Sequence, residues 1–173
     1  MRKVRIALAM GALLSASVAC SFIHPWGNSR ATKSDAPSMR GANVPADVQA
    51  VLENKCADCH SDNTKWPVWG YIAPGSWLME RDVHEGREHL DMSRWQSFDQ
   101  DTKIELLSKI ASEARSGEMP PKQYVLIHRS AKLTPDEGEL VYGWAKAERK
   151  RLRQQAAATD SDDAGSQKGT DTK

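Results

Sequence analysis

Cysteine is scarce in this sequence: it occurs at 20, 56 and 59 only, with none after Cys59 in 173 residues. A ribbon-type zinc site needs a second ligand pair, which the chain does not supply. Charge of one sign is missing too. Lys and Arg total 24 against 23 Asp and Glu, a formal net charge of +1 that argues against a nucleic-acid partner. No stretch alternates apolar and polar residues as a half-buried strand does, and no internal repeat is visible, so an all-α chain is expected. The apolar run Ile6–Val18 falls short of the roughly 20 residues that a comfortable membrane span needs. With 39% hydrophobic and 27% charged residues, the composition is that of a soluble globular protein, with one domain as the default.

What is present begins with an export signal. Arg2, Lys3 and Arg5 precede the apolar run, and Ser15 to Ala19 supply small residues ahead of Cys20. Residues 1–19 read as a signal peptide, which places the mature protein outside the cytoplasm, in the periplasm. Leu13-Leu14-Ser15-Ala16-Ser17-Val18-Ala19-Cys20 resembles a lipoprotein cleavage region in which Cys20 would carry the lipid, although Ser17 stands where a larger aliphatic residue is usual. Ser17-Val18-Ala19 also fits ordinary cleavage. Losing residues 1–19 removes three positive charges and leaves a formal net charge of −2. Residues 20–44, rich in Ser, Asn, Gly, Ala and Pro without apolar period, read as a flexible tether containing His24 and Trp26.

The stretch that carries chemistry is Cys56-Ala57-Asp58-Cys59-His60. Each thiol can add to a vinyl group of a haem, and the adjoining imidazole can reach the iron. A redox dithiol is the competing reading; it calls for a strand before the motif, whereas Val48, Val51 and Leu52 recur at helical spacing behind Pro45. One covalent haem c, held through Cys56 and Cys59 with His60 as proximal ligand, is therefore the expected cofactor.

Downstream, Ser61 to Lys65 is polar turn sequence, and Trp66-Pro67-Val68-Trp69-Gly70-Tyr71-Ile72-Ala73-Pro74 is too rich in Pro and Gly for regular helix. Its three large aromatics either face a porphyrin plane or form an ordinary core cluster. A helix is expected from Ser76 to His89 or Leu90, with Trp77, Leu78 and Val83 at helical intervals and Glu80, Arg81, Asp82, Glu85, Arg87 and Glu88 on a solvated face. The next helix, capped by Asp99 or Asp101, carries Ile104, Leu107, Ile110, Ala111 and Ala114 and stops at Gly117. Met119, fixed by Pro120-Pro121, can present its thioether to the open side of the iron. His128 competes for that role, with His24, His84 and His89 behind it, and a five-coordinate iron is the remaining alternative. Thr134-Pro135-Asp136-Glu137 opens a last helix with a capping box; Leu140, Val141, Trp144 and Ala145 form its stripe, and Lys146 to Arg153 make its end basic. Residues 156–173 read as a disordered tail.

Together these residues resemble the haem-binding domain family of small single-haem bacterial c-type cytochromes. The likeness rests on CxxCH with Ser61, Trp66-Pro67, Ala73-Pro74, Gly86-Arg87, Ser93-Arg94-Trp95, Met119-Pro120, Tyr124 and His128, spread over about residues 46–150. Asp91-Met92-Ser93 departs from the Asn-Phe-Ser-like turn usual there. The resemblance implies an all-α, cytochrome-c-like helical domain wrapped around one covalent haem within residues 45–155, with Cys56 and Cys59 as attachment points, His60 as axial ligand and, less directly, Met119 opposite. The function expected is electron transfer to redox partner proteins, not catalysis, with membrane contact only through a lipid on Cys20. The alternative is a haem sensor or peroxidase-like enzyme with an open sixth site, against which stands the lack of a second CxxCH.

Overall fold

The structure is a computed structural model that describes residues 1–168 apart from Thr32, Asp35 and Ala36. In chain order the α-helices are α1 (Arg2–Cys20), α2 (Ala46–Val51), α3 (Ala57–His60), α4 (Gly75–His89), α5 (Gln100–Ser116), α6 (Lys122–Ile127) and α7 (Pro135–Lys168). A π-helical turn, Leu52–Cys56, joins α2 to α3, and four short 3-10 turns occupy the connections. Helices dominate and no strand occurs among the described residues, so the protein is all-α. The chain folds as two compact units, one of Met1–Pro37 with Ala57–Ser93 and one of Ser38–Cys56 with Arg94–Lys173.

In the first unit, α3 packs on α4, whose buried face is Ser76, Met79, Glu80 and Val83. This corrects two expectations for that helix. Leu78 is 38% exposed, whereas Glu80 is wholly buried and Arg87 turns inward to Ser61. Positions 76, 79, 80 and 83 share one helical face, so Glu80 goes in with it whatever its charge. The stretch expected as a tether is likewise engaged. Ala73 N–H donates to Ser21 Oγ at 2.8 Å, Trp77 Nε1 donates to the Ile23 carbonyl at 2.9 Å, and His24 Nδ1 lies 2.6 Å from Glu80 Oε1. A buried carboxylate needs partners, and this segment supplies them. Helix α1 has none of its residues buried; at 19 residues it is longer than the apolar run Ile6–Val18, and by length and composition alone it could cross a membrane.

The second unit is organised by α5 against α7. Leu106, Leu107, Ile110 and Ala111 face Val141, Trp144 and Ala145, and Val48, Val51 and Leu52 are buried as their spacing requires. Each fully buried Leu or Val here stabilises by about 2 kcal/mol. The helix ends follow local chemistry. Asp99 accepts from Thr102 N–H at 2.8 Å, Gly117 ends α5 at φ 70°, and Thr134 and Glu137 bond reciprocally at 2.8 and 3.2 Å. The short α6 was not foreseen. Helix α7 runs to Lys168, and the end of the stretch expected as a disordered tail, residues 169–173, lies outside the described residues.

Glu148, only 3% exposed, ties α7 to the chain ahead of α2. Burial raises its carboxyl, but Arg151 at 2.6 and 2.7 Å and the Asn43 N–H at 3.1 Å outweigh that and hold it below its ordinary value. A carboxyl held low stabilises the native state while ionised, so its contribution is present at neutral pH and fades as pH falls through the lowered native value. Glu148→Gln is expected to cost about 1 kcal/mol at pH 7, Arg151 being partly exposed, with the gap to the parent narrowing below about pH 4. Thermal unfolding at pH 7 and pH 3 measures this; an equal gap at both would refute it.

Candidate functional site

Cys56-Ala57-Asp58-Cys59-His60 lies on continuous helical backbone, the π turn ending at Cys56 and α3 starting at Ala57. The boundary between the two units falls inside the motif, so Cys56, Met119 and His128 belong to the second unit and Cys59 and His60 to the first.

Within the first unit, two contacts on α4 fix the motif. Gly86 lies so close to α3 that a Cβ there would stand 2.6 Å from the Cys59 carbonyl oxygen and 3.0 Å from the Cys59 Cβ. Arg87 then donates to the Ser61 carbonyl at 2.8 and 3.1 Å and pairs with Asp62 at 3.7 Å. Thr64 Oγ1 donates to the Asp58 carbonyl at 2.6 Å, and Asp62 N–H donates to Ser93 Oγ at 2.9 Å. The Asp91-Met92-Ser93 turn, whose sequence departs from the family pattern, is packed through this last bond and through Met92, which has no exposure.

His60 Nδ1 lies 3.0 Å from the carbonyl oxygen of Leu90, to which only a protonated nitrogen can donate. Nδ1–H is therefore committed, and Nε2 keeps its lone pair. This is the arrangement by which a metal-ligating histidine has its tautomer and ring orientation fixed. Burial pushes the imidazole below its ordinary pKa, outweighing the hydrogen bonds to the Leu90 and Gly86 backbone, so the neutral ligating form prevails at pH 7.

Neither Cys56 nor Cys59 is in a disulfide. Burial pushes the Cys56 thiol up to about 12, with neighbouring Lys55 acting weakly in the other direction. Reactive dithiol centres have depressed thiols, so this is the reverse of a thioredoxin-like nucleophile. In the second unit, Lys55 Nζ bonds the carbonyls of Ser130 and Lys132 at 2.5 and 3.3 Å and approaches Glu137 at 3.6 Å, which positions the residue before Cys56. An oriented, neutral imidazole at His60 fits the ligand that a haem iron takes.

Met119 is half-buried in the loop between α5 and α6, its bond to Pro120 cis. His128 stacks on Tyr124 with ring centroids 4.5 Å apart. His84 faces Glu88 as an exposed surface pair at 3.4 Å. Trp66 and Trp69, the rings expected to face either a porphyrin or a core, have protein neighbours. The Arg30 guanidinium lies 5.8 Å from the Trp66 centroid and 5.4 Å from that of Tyr71, and Gly75 abuts Trp69. The sequence reading missed the support of His60 by Leu90, a backbone acceptor that leaves no residue signature. Gly86-Arg87, a glycine followed by arginine on the helix that faces CxxCH, is the residue signal of the close fit at Cys59.

No curated protein and no solved structure matches this chain. The model of the haem-binding domain family matches residues 15–147, a span that takes in the cysteine pair, His60, Gly86-Arg87 and the Met119 loop. The chain accordingly belongs to the haem-binding domain family and is a haem protein.

Proposed function

We propose that this is an exported monohaem c-type cytochrome that carries electrons, with Cys56 and Cys59 forming thioethers to the haem and His60 and Met119 as its axial ligands. The observation that carries the reading is the hydrogen bond from His60 Nδ1 to the Leu90 carbonyl, which leaves Nε2 for iron beside two cysteines one helical turn apart. When bound, the haem supplies a one-electron iron couple. His60 is held by Leu90 and by the close fit of Gly86 on Cys59, which keeps the imidazole in one orientation. With Met119 as second ligand no coordination position is left for substrate, which favours electron transfer over catalysis. Export agrees with a polybasic start, an apolar helix and small residues before Cys20, where the reading places a lipid anchor in the periplasm.

Expressed with c-type maturation machinery, the protein is expected to retain its pigment through acid–acetone extraction, and Cys56→Ala with Cys59→Ala to release it. Met119→Ala should abolish the weak sulfur-to-iron charge-transfer band of the oxidised protein and open the reduced iron to carbon monoxide. Pigment that extracts freely overturns the attachment; a spectrum altered by His128→Ala and not by Met119→Ala overturns the ligand.

A further inference from the structure

The first unit has an apolar rim where the chain leaves α1, and the residues around it leave no slack. Ser21 and Ile23, one and three residues after Cys20, are hydrogen-bonded to Ala73 and Trp77. Phe22, held between those two anchors, is 80% exposed and Ile23 58%, and Ile72, next to Ala73, is 47% exposed. In the 3-10 turn Val68–Tyr71, residues three apart eclipse, so Val68 at 85% and Tyr71 at 50% stand on one side of the same segment. The charge nearest this rim is paired: Arg30, whose guanidinium lies 5.4 Å from the Tyr71 ring, meets the buried Glu80 at 3.4 Å, and His24 lies 2.6 Å from the same carboxylate oxygen.

Scattered exposed apolar residues need no explanation, but Phe22, Ile23 and Ile72 flank the Ser21–Ala73 hydrogen bond, next to the residue read as acylated, and that placement does. We propose that Phe22, Ile23, Val68, Tyr71 and Ile72 form a membrane-seating rim that lies in the bilayer interface and holds the first unit flat against the lipid. The occupant is a phospholipid surface because a lipid on Cys20 puts the mature N-terminus there and the rim begins two residues later. Aromatic and aliphatic side chains at the headgroup level are what such an interface accepts, and a second attachment adds to what one lipid anchor holds. This inference rests on the reading of Cys20 as the acylated residue.

The test uses the full chain, matured with haem and reconstituted into vesicles of phosphatidylethanolamine and phosphatidylglycerol that carry a photoreactive group in the acyl chain. After illumination, the tryptic peptide of residues 66–81 and the mature N-terminus are read by mass spectrometry, and the haem spectrum checks that the protein is folded. The expected result is acylated Cys20 together with label on peptide 66–81, reduced at least fivefold in Phe22→Glu and Val68→Glu, whose side chains are exposed enough to leave the fold intact. Acylated Cys20 with no label on 66–81 overturns the seating and leaves the anchor standing. A soluble protein cut after Ala19 with Cys20 unmodified overturns the anchor reading and the seating with it.

Discussion

Gly86→Val is expected to prevent the protein from maturing with haem. The Cβ of any residue at 86 would stand 2.6 Å from a backbone oxygen, that of Cys59, which cannot swing aside as a long side chain would. Gly86→Ala brings helix propensity worth about 1 kcal/mol against an overpacking cost of about 1 to 3 kcal/mol, a net loss of up to about 2 kcal/mol. Valine brings almost none of that propensity and adds two methyl groups to the clash, so about 3 kcal/mol or more is expected. For a chain of this size that lowers Tm by about 6 to 12 °C. Because the helix that must move away carries the Leu90 carbonyl at its end, His60 loses its orientation in the same step. Pigment per mole of purified protein and thermal unfolding measure both effects. A fully pigmented Gly86→Val protein with unchanged Tm would refute the close fit.

Glu80→Ala carries the second large effect. The side chain is wholly buried, and one oxygen, Oε1, accepts from both His24 and Arg30, while Oε2 is buried without a hydrogen-bond partner. Removing the carboxylate strands Arg30, whose side chain is 20% exposed, between the Trp66 and Tyr71 rings with no counter-charge. Breaking a fully buried pair costs about 3 to 5 kcal/mol; with partly exposed partners here, about 2 to 3 kcal/mol is expected. The loss should be local before it is global. Residues 21–31 would detach, so trypsin should cut after Arg30 at least tenfold faster in Glu80→Ala than in the parent, while α5 and α7 in the other unit keep their protection. Glu80→Gln retains an acceptor and should fall between. Equal cleavage rates in all three would sink the account.

Much of this molecule could be read from residue order, because its signals are local. The CxxCH motif, the Asp99 cap, the Thr134–Glu137 box and the Gly117 stop are each decided within a few residues, and the structure has all of them in helical or capping positions. What escaped reading was decided at a distance. His24 and Arg30 stand in a Ser- and Gly-rich stretch with no periodicity, and nothing nearby announces that their partner lies about fifty residues on. Glu80 sits in a run of charges that resembles a solvated face; only the packing of α4 shows which of them turns inward. The cofactor itself was legible because its chemistry demands particular side chains. The carbonyl that orients His60 was not, because every residue has one.

The hydrogen bonds of Ser21 and Ile23 bear on how such a protein can work. A carrier on a long leash can ferry its electron across a gap, sampling a sphere whose radius grows with the length of loose chain. Here the leash is already wound up. With the lipid proposed for Cys20 and the carrier role proposed for the haem, the unit that bears His60 would act as a fixed terminal in the plane of the membrane, to which a partner would have to glide or dock.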